Sequence, residues 1–152
     1  MERLQQYDVV VVGGGTAGVS AAVGAAKTGA KTLLIERNAY LGGEATNSGV
    51  SAFCGFYTCG ENPVRVVEGV GRLVLNEMEA LGPTVDYVIS ATGNRNINFQ
   101  PEYLKCAMDN LLEKERVDYL LHTSVIGADT ENGTITAIHC VDDEGTFTVA
   151  AK

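Results

Sequence analysis

The chain has 152 residues, 45% of them hydrophobic and 20% charged, which is ordinary globular usage with room for one compact core. A formal net charge of −8 argues against a general nucleic-acid-binding surface, which needs clustered Lys and Arg. There is no internal repeat, low-complexity run or apolar segment long enough to span a bilayer, and Met1-Glu2-Arg3-Leu4-Gln5-Gln6 does not resemble a secretory leader, so a cytoplasmic protein without a membrane partner is expected.

Tyr7-Asp8-Val9-Val10-Val11-Val12 reads as a buried strand running into Gly13-Gly14-Gly15-Thr16-Ala17-Gly18, a GxGxxG turn that opens a helix. Gly13 permits the tight turn, Gly15 lets the backbone come close to a pyrophosphate, and Gly18 lets the helix lie close to the strand. Thr16 and Ala17 then begin a helix whose free N–H groups and partial positive charge suit phosphates. A second strand, Thr32-Leu33-Leu34-Ile35, ends in Glu36, near the offset of about 20 residues expected for an acid that binds a ribose hydroxyl. Together these parts predict a dinucleotide-binding βαβ unit. The plainer alternative is a Gly-rich turn in an ordinary α/β domain. Glu36 disfavours a 2′-phosphorylated cofactor, because carboxylate and phosphate repel unless an Arg intervenes, and the adjacent Arg37 leaves that choice open. Gly24 sits mid-helix at a cost of about 1 kcal/mol against Ala, which predicts close approach of helix and sheet there.

The next run is Arg37-Asn38-Ala39-Tyr40-Leu41-Gly42-Gly43-Glu44-Ala45-Thr46-Asn47-Ser48-Gly49-Val50. It resembles the Gly-Gly segment after the ribose acid in FAD-dependent oxidoreductases of the glutathione reductase and fumarate reductase superfamily. The resemblance implies FAD as cofactor. It also implies that Gly42, Gly43, Glu44, Ala45 and Thr46 pass along its pyrophosphate and ribityl chain, a role suited to small and hydroxyl residues. A flexible Gly-rich loop is the alternative.

Residues 50–98 are the less regular part, and in related flavoproteins an insertion here lies toward the substrate. Val67, Val70, Val74, Met78 and Leu81 predict a helix ended by Gly82-Pro83, with Gly69 and Gly71 working against it. Cys54 and Cys59 have the spacing of the redox pair in disulfide reductases, but they lie too far beyond Gly43 to match it. Free thiols in a reducing compartment are expected instead, with Cys106 and Cys140 structural. No zinc or iron–sulfur spacing is present, and no metal is expected. Val88-Ile89-Ser90-Ala91-Thr92-Gly93 imitates a flavin-side motif but precedes the third parallel strand, and reads as a strand and turn.

Leu104, Ala107, Met108, Leu111 and Leu112 recur at helical spacing behind Pro101, predicting an amphipathic helix, and a strand follows from Val117. In the resembling family the backbone after that strand, near Val125, contacts adenine, although a core valine explains Val125 equally well. Beyond it, Asn132-Gly133 and Asp142-Asp143-Glu144-Gly145 mark the turns of an antiparallel meander. His122 and His139 fall in strand-like settings, and no Ser/His/Asp or paired-carboxylate set can be assembled from spacing.

The resemblance thus implies an α/β, Rossmann-like FAD-binding domain with a parallel sheet, helices and an antiparallel meander crossover. It covers residues 1–152 as the N-terminal part of an incomplete fold. The expected function is that of an oxidoreductase passing hydride or electrons through a flavin, with no catalytic residue identifiable and the site completed by a C-terminal half or a second chain. A noncatalytic electron-transfer subunit and an inert fragment are the alternatives. The small-molecule substrate or electron partner is not encoded in any motif.

Overall fold

A computed structural model describes residues 5–82 and 85–151. These form two compact units, one from the described residues of Met1–Leu41 and Leu112–Lys152, the other from Gly42–Leu111.

The first unit is built on two sheets. Strand β1 is Gln5–Tyr7, β2 is Val9–Val12 and β3 is Thr32–Ile35, with helix α1, Thr16–Lys27, between the last two. In the second unit, α2 is Glu44–Asn47, β4 is Ala52–Cys54, α3 is Val70–Ala80, β5 is Tyr87–Ile89 and β6 is Arg95–Asn98. Helix α4, Pro101–Lys114, leads back to the first unit, where β7 is Asp118–Leu120, β8 is Ser124–Glu131, β9 is Thr134–Asp142 and β10 is Gly145–Ala151.

Strands β2, β3 and β7 form a parallel sheet in the order β2-β3-β7, so the βαβ unit and the third parallel strand are present as expected. The central strand is apolar and wholly buried, as a strand covered on both faces should be, and Leu33, Leu34 and Ile35 are each no more than 1% exposed. Each such side chain contributes about 1.5–3 kcal/mol of burial.

The single buried strand expected over Tyr7 to Val12 is in fact two. Residues 5–7 pair in parallel with β10, with Gln5 opposite Val149, whereas residues 9–12 pair with β3. The break falls at Asp8, whose carboxylate accepts a hydrogen bond from Lys31 N at 2.9 Å. Strand β2 is an edge strand rather than a buried one, with Val12 58% exposed.

The meander is as expected. Strands β8, β9 and β10 are antiparallel neighbours, and Asn132 and Gly133 have φ of 50° and 79°, the paired positive values of a type I′ turn. Tyr7, Leu33, Ile35, Ile138, Cys140, Phe147 and Val149 form one buried cluster joining this sheet to the parallel one. The Tyr7 hydroxyl donates to Asp118 Oδ2 at 3.0 Å, and burial, aided by that carboxylate, pushes its pKa up from 10.0 to about 12. Between these values the folded state keeps a proton that the unfolded chain has lost. The resulting contribution to stability is full below pH 10.0 and is lost as pH rises through about 12. A melting-temperature scan across this window should fall more steeply for the wild-type protein than for Tyr7→Phe; parallel curves would contradict the assignment.

The close helix–sheet approach expected at Gly24 is absent. Gly24 is exposed, and a Cβ built there meets nothing within 4 Å. Close contact in α1 comes instead from Val19, Ala22 and Val23, all buried. Gly24→Ala should therefore stabilise the protein by about 1 kcal/mol through helix propensity, seen as a higher urea midpoint. An unchanged or lower midpoint would count against the open position.

In the second unit, β4, β6 and β5 form an antiparallel sheet in the order β4-β6-β5. Phe53 stacks in tilted fashion on Phe99 at 4.5 Å and on Phe56 at 5.5 Å. Residues 90–94 are the hairpin turn between β5 and β6, closed by Ser90 N donating to Asn94 O at 2.8 Å, so Val88-Ile89-Ser90-Ala91-Thr92-Gly93 is a strand and turn, as expected. Helix α3 begins at Val70 rather than Val67, because its N-cap Gly69 takes φ 65°. Pro83 lies outside the described residues. Leu104, Ala107, Met108, Leu111 and Leu112 are all buried along one stripe of α4, matching the periodicity of the sequence.

Candidate functional site

Strand β2 ends in a turn that only a Gly-rich sequence can make. Gly13 takes φ 100° and donates its N–H to Ile35 O at 2.7 Å, drawing the turn to the end of β3. A Cβ on Gly18 would lie 1.8 Å from Gly13 O, so the first turn of α1 rests directly on the loop backbone. Gly15 differs from both. It is the N-cap of α1 with φ −67° and ψ 178°, angles open to any residue, so its backbone conformation gives no reason for glycine. The first turn of α1 has no side-chain cap and no acidic residue, and Thr16 and Ala17 are exposed. An uncapped helix N-terminus without an acidic first turn fits an anionic phosphate.

Glu36 stands at the other side of this turn, 6% exposed. Its Oε2 accepts a hydrogen bond from Gly14 N at 2.6 Å, and its Oε1 accepts two from Asn38, from N at 2.8 Å and from Nδ2 at 2.7 Å. The backbone is held as firmly. Glu36 N donates to Leu120 O at 2.8 Å, Thr123 N to Glu36 O at 3.0 Å and His122 N to Asn38 O at 3.1 Å. The β7 exit thus fixes residues 36–38, and those residues fix the carboxylate beside the glycine turn.

Two members of this arrangement escaped the sequence. Gly14, the middle glycine, looks redundant in a GxGxxG pattern, yet a Cβ there would lie 2.5 Å from Leu41 Cδ2 and 2.9 Å from Glu36 Cβ. It makes room for the acid. Asn38 had a local signal, an Asn two residues beyond an acid where side-chain-to-backbone bonding is common. Arg37 is exposed, and Val125, in β8, packs against the buried cluster of the first unit, as a core valine would.

Residues 42–46 belong to the second unit. Gly42 has φ 107°, and a Cβ on it would meet Thr46 Cγ2 at 2.4 Å. Instead of an extended loop, the segment closes as the short helix α2. Ala45 N and Thr46 N donate to the carbonyls of Gly42 and Gly43 at 3.2 and 3.1 Å. Ala45 and Thr46 are buried, and Glu44 is exposed.

Elsewhere the structure assembles a set that spacing did not reveal. His139 Nε2 lies 2.9 Å from Asp129 Oδ1 and its Nδ1 3.2 Å from Thr148 Oγ1, one residue from each strand of the meander. The imidazole is 39% and the carboxylate 58% exposed, so this solvated cross-strand ladder adds little to stability. His122 is exposed in the turn after β7, with φ 50°, rather than in a strand. Cys54, Cys59 and Cys106 are exposed and Cys140 is buried; all four are free. A packing role thus holds for Cys140 and not for Cys106, which lies outside the buried stripe of α4. Among the described residues no group of three or more His, Cys, Asp or Glu could hold a metal ion. A cavity of about 420 Å³, lined in part by Tyr7, Leu33, Asp118 and Phe147, shares no residue with the glycine turn or Glu36.

The family model for FAD dependent oxidoreductases matches residues 8–152. Digeranylgeranylglycerophospholipid reductase of Thermoplasma acidophilum is 38% identical over 76 residues, 50% of this chain and 14% of that protein. Glutathione reductase of Yarrowia lipolytica is 53% identical over 49 residues, 32% of this chain and 10% of that protein. The crystal structure of a 3-ketosteroid-Δ4-(5α)-dehydrogenase from Rhodococcus jostii superposes with a TM-score of 0.67 at 19% identity, over 99% of this chain and 45% of that one.

Proposed function

The chain belongs to the FAD dependent oxidoreductase family, and we propose that it supplies the adenosine and pyrophosphate part of an FAD site in a dehydrogenase or reductase. The observation that carries this reading is the Glu36 carboxylate held 2.6 Å from Gly14 N, inside the turn that opens α1. In this reading the N–H groups of Thr16 and Ala17 and the α1 dipole receive the pyrophosphate, Gly13 and Gly18 shape the turn, and Gly15 gives clearance. Glu36 accepts a hydrogen bond from the adenosine ribose, with Arg37 exposed beside it. FAD supplies the redox chemistry, while these residues bind and orient it.

The remaining assignments rest on the resemblance. Gly42, Gly43, Glu44, Ala45 and Thr46 are assigned to the same cofactor, and so is the backbone at Val125. The chain is taken as one FAD-binding domain in which residues 50–98 form the substrate-side insertion. It spans between a tenth and a seventh of the two curated relatives above, and a longer chain or second subunit would supply the substrate pocket. No helix among the described residues is long and apolar enough to cross a membrane. We place the protein in the cytoplasm, where the exposed thiols of Cys54, Cys59 and Cys106 persist unpaired.

Titration of apoprotein, followed by flavin fluorescence, tests the reading. FAD should bind strongly in preference to FMN, which lacks the adenosine ribose. Glu36→Ala should weaken FAD by about 1–3 kcal/mol, the range for a hydrogen bond to a charged group, with a melting curve confirming the fold. Equal affinities for FAD and FMN would refute the role of Glu36.

A further inference from the structure

We infer that Asn38 is a positioning residue that occupies one oxygen of Glu36, so that the carboxylate offers a ligand a single acceptor site and grips one ribose hydroxyl rather than two. This rests on the proposed ribose role of Glu36. A carboxylate has about four lone-pair sites. Asn38 fills both on Oε1, with its N at 2.8 Å and its Nδ2 at 2.7 Å. Gly14 N takes one on Oε2 at 2.6 Å. One site remains, on Oε2.

The carboxylate cannot readily turn to offer more. It is 6% exposed, its backbone is bonded to Leu120 and Thr123, and any rotation gives up bonds in a buried place where an unpaired donor is costly. Asn38 is anchored by its own carbonyl, which accepts from His122 N at 3.1 Å. The amide of Asn38 is therefore a fixed donor aimed at Oε1. Its effect reaches the ligand only through Glu36, by setting which oxygen and which lone pair are presented. A ribose has two adjacent hydroxyls, and this arrangement distinguishes them.

Calorimetric titration of the wild-type chain with ADP, 2′-deoxy-ADP and 3′-deoxy-ADP tests the inference. One deoxy analogue should bind about 10-fold more weakly than ADP, the loss of one hydrogen bond to a charged acceptor, while the other stays within about 2-fold. Asn38→Ala should weaken ADP by about 3- to 10-fold and shrink the difference between the analogues, since Oε1 regains a site and the carboxylate its freedom. Asn38→Asp keeps the shape but sets a second carboxylate oxygen against Oε1, and should bind ADP more weakly than Asn38→Ala. A purely structural role would lower the melting temperature without changing the ratio between the analogues. Equal losses for both analogues, or an Asn38→Asp protein that binds ADP as wild type does, would overturn the inference while leaving the ribose role of Glu36 standing. Unchanged ADP binding by Glu36→Ala would overturn both.

Discussion

Gly18→Ala should be among the most damaging single-methyl additions in this protein. The new Cβ would lie 1.8 Å from Gly13 O and 3.0 Å from Gly13 C, both backbone atoms of the turn, with Val11 Cγ1 at 3.6 Å behind them. No side chain can swing away to relieve this, so α1 must lift from the loop and lose its packing on β2 and β3. A cost of about 3 kcal/mol or more is expected, at the upper end for overpacking and against the slight gain in helix propensity that Ala brings. The comparison with Gly24→Ala is internal to the helix. The same substitution, six positions along, meets open space and should stabilise. Urea midpoints for the two variants should move in opposite directions. A Gly18→Ala protein as stable as wild type would show that the turn and helix do not rest on one another.

Gly15→Val should abolish cofactor binding and leave most of the fold intact. With φ −67° and ψ 178°, Gly15 occupies backbone space that valine also adopts, so the fold should lose only about 1 kcal/mol, from a poorer N-cap. The ligand fares worse. A branched side chain at the N-cap stands where phosphate oxygens must approach the first N–H groups of α1. Losing even one charge-assisted hydrogen bond of about 1.5–3 kcal/mol weakens FAD by roughly 10- to 100-fold, and the displaced pyrophosphate should lose more than one. The measurements are flavin fluorescence for binding and a melting curve for the fold. A folded Gly15→Val protein that binds FAD with wild-type affinity would remove the pyrophosphate from this turn.

Both predictions start from glycines that a motif identifies together and that the structure separates by cause. Gly13 serves a backbone angle, Gly14 makes room for Leu41 and the acid, and Gly18 lets the helix rest on the turn, whereas the backbone angles of Gly15 are open to any residue. For Gly15 the proposed role is clearance for the pyrophosphate of FAD, which the Gly15→Val experiment tests.

The sequence by itself determined those features whose causes lie within a few residues. The apolar stripe of α4, the I′ turn at Asn132-Gly133 and the strand, turn, helix and acid of the βαβ unit were all legible. Each is set by local periodicity or by the steric freedom of one or two residues. Other features depend on which strand lies opposite, and only the tertiary structure decided them. Strand β1 parts from β2 because its partner, β10, is more than a hundred residues away in sequence. His139 meets Asp129 and Thr148 through the register of two neighbouring strand pairs. Gly14 gained its role only when folding brought the end of β3 against the glycine turn, for a partner across the fold leaves no mark in the spacing of its own segment.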